Sequence, residues 1–173
     1  MSFDAASIRI EPLAPHHHRA AFTCGHEALD RYLRTQAGQD VRRATARVFV
    51  AVPADQPDRV LGYFTLSAAL VVPTDLPAAV ERKLPRHAIP AGLIGRLAVD
   101  RSAQGRGLGG VLIADAVKKT RLAAETVAMA VIVVDPIDDR ARAFYTAFGF
   151  QGLNGPQRRM FIAIQGGITR TSP

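Results

Sequence analysis

Residues 97–110 read L-A-V-D-R-S-A-Q-G-R-G-L-G-G, and most of what the sequence says about architecture starts here. An apolar run, Leu93 to Val99, reads as a buried strand, and a helix is expected from about Gly107 to Ala124. Strand, glycine-rich turn and helix in that order form a cradle for a pyrophosphate. Several backbone N–H groups must converge on such an anion, with no side chains blocking the approach. Gly105, Gly107, Gly109 and Gly110 permit that approach, and the helix adds the positive end of its dipole. Arg106 can give charge-assisted bonds to the same phosphates. No Lys-Ser/Thr pair follows the glycines, which argues against a nucleoside triphosphate P-loop. The loop also comes late, after a long strand-rich region, whereas a dinucleotide-binding fingerprint opens its domain.

Outward from the loop the pattern is that of an α/β (α+β) chain with a mixed sheet. Upstream, Ile8 to Leu13 reads as a short strand. Glu27 to Ala37 carries Leu29, Tyr32 and Leu33 at helical spacing, with Asp30 and Arg34 placed for an i,i+4 pair. Arg47 to Val52 and Val60 to Leu70 read as a hairpin across the Pro53 to Asp58 turn. Pro73 to Pro90 is punctuated by prolines and holds one short helix, near Ala78 to Lys83. Downstream, Val127 to Val134 reads as a central strand. Asp138 to Phe148 reads as a helix stopped by Gly149, and Met160 to Ile164 as a last strand. A single domain is expected over residues 1–173, with its core at about 8–164 and a frayed tail at 165–173.

Of the 173 residues, 48% are hydrophobic and 21% charged, an ordinary globular composition. Cys24 is alone, so an internal disulfide and a cysteine-built metal site are excluded, and a reducing cytoplasm is the expected compartment. No signal-peptide layout and no apolar run near the ~20 residues of a membrane span are present, so no membrane association is expected. The net charge of +7 favours anionic partners: nucleic acid, a CoA-type cofactor or an acidic protein. His16 to His18 raises the question of a metal. With no Cys, Asp or Glu at ligand spacing in sequence, a solvated turn is expected and no metal site.

Leu97 to Gly109 resembles the acyl-CoA signature of the GNAT acetyltransferase superfamily, Q/R-x-x-G-x-G/A, filled by Gln104, Gly107 and Gly109. Asp138-x-x-Ala141-x-x-Phe144-Tyr145-x-x-Phe148-Gly149-Phe150 resembles the second CoA-side motif of that superfamily, with Asp138 replacing the usual asparagine. The resemblance implies a central mixed, largely antiparallel twisted sheet flanked by helices and splayed between the two strands at the acetyl-CoA site. It implies cofactor contacts along Leu97, Ala98, Val99, Gln104, Gly105, Arg106, Gly107, Leu108, Gly109 and Gly110, and at Asp138, Phe144 and Phe148. Tyr145 matches the position that protonates the departing thiolate; by periodicity alone it would be a core aromatic beside Phe144 and Phe148.

Phe22 to Leu33, Ala46 to Val50, Gly62 to Ala68 and Ile89 to Asp100 resemble one GNAT branch, the toxins of toxin–antitoxin pairs that acetylate aminoacyl-tRNA. That branch implies a homodimer and a ribbon-helix-helix antitoxin as partner. Many relatives carry a glutamate on the strand entering the CoA loop, but I-G-R-L-A-V has no carboxylate before Asp100. An α-amine titrates near ~8, against ~10.4 for lysine, so it needs less help to lose its proton. Arg31, Arg34, Arg42, Arg43 and Arg47, with Lys83, Arg86 and Arg96, are the candidates for tRNA phosphate contact, since guanidinium groups bond phosphate bidentately. Two other readings stay open: acetylation of a protein N-terminus or small amine, and a non-catalytic module that binds CoA or a protein partner.

Overall fold

Val48, Val50 and Val52 of R-V-F-V-A-V-P are buried on one face, and Ala51 on the other is buried too, so the segment is covered on both faces towards its end and becomes strand β2, Arg47–Pro53. In the computed structural model, which describes residues 3–165, the chain divides into two compact units. One comprises Met1–Ser67 and Gly95–Ala116, the other Ala68–Ile94 and Val117–Pro173.

In the first unit, β1 (Ile8–Pro12) and the start of β3 (Gly62–Val71) flank β2 in antiparallel pairs. Phe49 sits opposite Phe64, their rings stacked at 5.3 Å. The expected helix at Glu27 is longer than its periodicity indicated. It runs as α1 (Glu27–Arg31), a π-helical turn (Tyr32–Gln36) and α2 (Ala37–Arg43). The extra residue of the π turn shifts the apolar stripe, so Tyr32, Leu33 and Ala37 are all buried against Phe22, Val50 and Tyr63. The expected Asp30–Arg34 pair does not form. Asp30 is buried and accepts the Cys24 N–H at 2.8 Å, while Arg34 bonds Glu27 at 3.1 Å.

In the second unit, β4 (Ile89–Val99) pairs in parallel with β5 (Val131–Val134), from Ala91 opposite Val131 to Ile94 opposite Val134. β7 (Met160–Ala163) lies antiparallel to β5, and the two-residue β6 (Gln151–Gly152) antiparallel to β7. Helix α3 (Ala78–Glu81) is short, and α5 (Asp139–Ala147) ends before Gly149, whose φ is 92°. Val71, Leu76, Ile89, Ala91, Val131, Val133, Leu153 and Phe161 form the core of this unit.

The strand order is β1-β2-β3-β4-β5-β7-β6 in a mixed sheet, as expected for the fold class. Pairing of β4 with β5 stops at Ile94, although β4 continues to Val99. Helix α4, Leu108–Ala124, lays Leu108 and Leu112 against Gly62 and, further along, Thr120 against Gly92. The frayed tail expected after residue 165 lies outside the described residues.

Candidate active site

Asp100 shapes the turn between β4 and α4. Its carboxylate accepts the Ser102 N–H at 3.0 Å, the Ser102 hydroxyl at 2.7 Å and the Thr23 N–H at 3.0 Å. The chain then makes a 3-10 turn, Arg101–Ala103, whose Ala103 is buried. Gly105 and Gly107 follow with φ of 74° and 87°, in the left-handed region that glycine enters without cost. A Cβ at either position would meet nothing within 4 Å, so the loop surface around them is open. Leu108 is buried and anchors the start of α4, where the first N–H groups have no intrahelical acceptor. Gly109 and Gly110 keep that first turn bare. The loop can therefore take an anion such as a pyrophosphate, with backbone amides as donors and the helix dipole adding attraction.

The side chains of this loop are less free than the sequence implied. Arg106 lies 3.8 Å over the ring of Phe3, whose N–H donates to the Arg106 carbonyl at 3.2 Å. Gln104 Nε2 donates to Cys24 O at 2.7 Å and Val99 O at 2.9 Å, so its side chain holds protein carbonyls. On β4, Ala98 is buried, and Leu97 and Val99 are half-buried. Asp100, the nearest carboxylate to this stretch, is a poor base. Burial pushes it up, but the bonds from Ser102 and Thr23 outweigh burial and hold it below the usual carboxylate range.

In the other unit, α5 carries the second group of expected site residues. Asp138 is its N-cap, and its carboxylate accepts the Ala141 N–H at 2.7 Å. An asparagine would cap in the same way. Phe144 and Phe148 are half-buried with ring centroids 5.0 Å apart. Tyr145 is buried, edge-on to Phe144 at 5.2 Å and to Phe150 at 5.6 Å. Burial, then the Asp135 carboxylate, push its phenol well above the ordinary tyrosine value, so it keeps its proton at neutral pH.

The expected arginine face is divided. Arg31, Arg42, Arg43 and Arg47 are exposed on α1, α2 and the start of β2. Arg34 is half-buried and bonded to Glu27. Arg96 is committed elsewhere: its guanidinium sits 3.7 Å over the ring of buried Tyr32, where stacking recovers part of the hydration it gives up. Lys83 and Arg86 are exposed but belong to the second unit. Thr23 and Cys24, bonded to the cofactor loop, were not among the expected site residues. Nothing in a separation of 80 residues advertises a bond from the Gln104 side chain to the Cys24 carbonyl.

The histidine triplet also departs from expectation. His17 is buried, not solvated, and Glu11 supplies the carboxylate that sequence spacing had seemed to lack. Donor atoms of Glu11, His16 and His17 lie within 4.8 Å of one another. Yet His17 Nδ1 accepts the Ala14 N–H at 2.9 Å, which puts the ring proton on Nε2, 2.7 Å from Glu11 Oε1. Both ring nitrogens are thus used in tying the turn to β1.

Residues 13–150 match the acetyltransferase (GNAT) family. The chain belongs to that family. It is 38% identical over 131 residues to a tRNA-acetylating toxin of Mycobacterium tuberculosis, covering 76% of each protein. Over 169 residues it is 32% identical to a probable toxin TacT of Sinorhizobium fredii, covering 92% of this chain and 93% of that one. Among solved structures, AtaT complexed with acetyl-methionyl-tRNAfMet is similar with a TM-score of 0.85 at 31% identity, over 90% of this chain and 94% of the other. A mutant AtaT toxin bound to the C-terminus of the antitoxin AtaR and acetyl-CoA gives 0.77 at 29% identity, over 91% and 93%.

Proposed function

We propose that this protein acetylates the α-amine of the amino acid carried on aminoacyl-tRNA, using acetyl-CoA, and acts as the toxin of a toxin–antitoxin pair. One observation carries the proposal. An open, positive-φ glycine loop feeds α4, in a chain with 38% identity to a tRNA-acetylating toxin. Acetyl-CoA, when bound, supplies the activated thioester. The amides at Gly105 to Gly110 hold its pyrophosphate, with Arg106 beside them, and the end of β4 at Leu97 to Val99 offers backbone groups to the pantetheine arm. Tyr145 gives its proton to the departing thiolate. No enzymic base is assigned. An α-amine near ~8, lowered further by the neighbouring ester, is substantially neutral in water at physiological pH.

The tRNA contacts are proposed at Arg31, Arg42, Arg43 and Arg47, with Arg34 beside them, and in the second unit at Lys83 and Arg86. One catalytic domain spanning the chain, a homodimer and a ribbon-helix-helix antitoxin complete the proposal; the likeness to an antitoxin-bound AtaT supports an antitoxin as partner. No described helix is long and apolar enough to cross a membrane, in keeping with action where charged tRNA is found, in the cytoplasm.

The deciding experiment incubates the purified protein with labelled acetyl-CoA and total charged tRNA, then identifies the acetylated aminoacyl species. Label on the amino acid's α-amine is expected. Label confined to protein N-termini or free amines would replace the tRNA reading, and cofactor binding with no transfer would favour a binding module. Tyr145→Phe should lower kcat by roughly 10²–10⁴-fold while acetyl-CoA still binds. Undiminished transfer would remove Tyr145 from the chemistry.

A further inference from the structure

The acyl-CoA signature reserves its first position for glutamine or arginine, and Gln104 fills it here. A primary amide has two N–H bonds. Both are used by carbonyl oxygens, at Cys24 and Val99, and this fixes which side-chain atom is the nitrogen. No side-chain donor is left for a phosphate. The Val99 bond closes the loop on itself, whereas the Cys24 bond joins it to a distant segment.

That segment is held from both directions. Towards the cofactor loop, the Thr23 N–H donates to Asp100 Oδ2 at 3.0 Å, and the Arg101 N–H donates to the Thr23 carbonyl at 2.8 Å. Towards the basic helix, the Cys24 N–H donates to Asp30 Oδ1 at 2.8 Å, and Asp30 is a buried residue of α1. Gly25, at a φ of 101°, turns the chain into α1, and a Cβ there would come within 3.6 Å of the Arg101 guanidinium. A continuous hydrogen-bonded path therefore runs from Val99 through Gln104 and Cys24 to Asp30. Arg31 and Arg34 follow directly in the sequence.

We infer that Gln104 is a positioning residue: its side chain clips the phosphate loop to the Thr23–Cys24 segment, so that cofactor binding orders the arginine-bearing helix that receives the acceptor. The kinetic part of this inference rests on the aminoacyl-tRNA reading; the clip itself does not. Gln104→Met keeps the length and removes both donors, and Gln104→Glu does so with a carboxylate. Gln104→Arg, the other residue of the signature, restores donors.

Hydrogen exchange with and without acetyl-CoA reads the clip. In the unaltered protein, acetyl-CoA should slow exchange at residues 105–110 and also at 23–31. In Gln104→Met the first protection persists and the second is lost, and Gln104→Arg regains most of it. In transfer assays, Gln104→Met should raise the KM for charged tRNA about tenfold, within the usual range for coupled sites, while the acetyl-CoA Kd moves by less than about threefold. Gln104→Glu should behave like Gln104→Met, and it carries the test if the methionine variant does not fold. A tenfold weaker acetyl-CoA Kd with the tRNA KM unchanged would make Gln104 a phosphate ligand and overturn the inference. Undisturbed protection at 23–31 in the donor-less variants would overturn it as well. If the unaltered protein acetylates no charged tRNA, the acceptor reading fails, and the exchange measurement still decides the clip.

Discussion

Tyr145 and Asp135 lie within one unit, and burial and the Asp135 charge set how the proposed proton donor behaves with pH. Asp135 is paired with Arg159 through two bonds of 2.8 and 2.9 Å, which hold its carboxylate in place. Burial, and then the nearby Asp135 carboxylate, favour the neutral phenol and move Tyr145 upward from its ordinary value. A general acid with a raised pKa is fully protonated below that value and is lost only as pH rises through it. The proposed acceptor amine runs the other way, becoming reactive as pH rises through ~8 or lower. From about pH 6 to 9, kcat/KM for charged tRNA should therefore climb to a plateau, with no descending limb. A fall between pH 7 and 9, measured at constant ionic strength, would mean that the proton donor is not this buried phenol. Asp138 shows the limit of reading such roles from spacing. The motif marks it for the cofactor, and in the structure its side chain caps α5, a task asparagine and aspartate share.

Close packing between α4 and β4 makes a second prediction. A Cβ at Gly92 would run into the Thr120 side-chain methyl, with the Met129 sulfur 3.3 Å away, and Thr120 is buried. Gly92→Ala should cost about 1–3 kcal/mol through overpacking, lowering Tm by roughly 2–12 °C for a chain of this size. Thr120→Ser removes the obstructing methyl, so the double variant should recover most of the loss in a thermal melt. Equal losses with and without the methyl would place the strain elsewhere. The same two elements show what was legible in the sequence. The helix and the far end of the apolar strand were placed within a residue or two, because local periodicity and glycine conformation determine them. The start of β4 was placed four residues late because Pro90 was read with the proline-punctuated stretch before it. In the sheet Pro90 needs only its carbonyl, which accepts the Ala130 N–H at 3.0 Å. The expected strand from Val127 begins only at Val131, for Val127 is 67% exposed and its β-branched character had nothing to pack against. Within the candidate site, the glycines could be read directly. The commitments of Gln104, Arg96 and His17 could not, because each depends on a partner brought close by the fold alone.

The excess of 22 basic over 15 acidic side chains gives a net +7, but charge attracts RNA only where it is exposed and unspent. Arg96 is stacked on Tyr32 and Arg34 is bonded to Glu27, which leaves the proposed RNA-facing charge of the first unit on the exposed Arg31, Arg42, Arg43 and Arg47. Arg42 and Arg43 end α2, just before Ala44 takes a φ of 57°, and basic residues also suit the negative end of that helix dipole. Reversing both charges, Arg42→Glu with Arg43→Glu, should weaken modification of charged tRNA and leave the acetyl-CoA Kd as it was. Contact with phosphate predicts a further signature that simple loss of stability would not produce. The dependence of the tRNA KM on salt should flatten, by about one unit of logarithmic slope for each phosphate contact removed. KM measured from roughly 50 to 200 mM salt would show this as a difference that shrinks as salt rises, since screening already removes the same attraction from the unaltered protein. A parallel offset at every salt concentration would instead assign the two arginines to holding α2 in place, and the acceptor would have to be guided by Arg31 and Arg47.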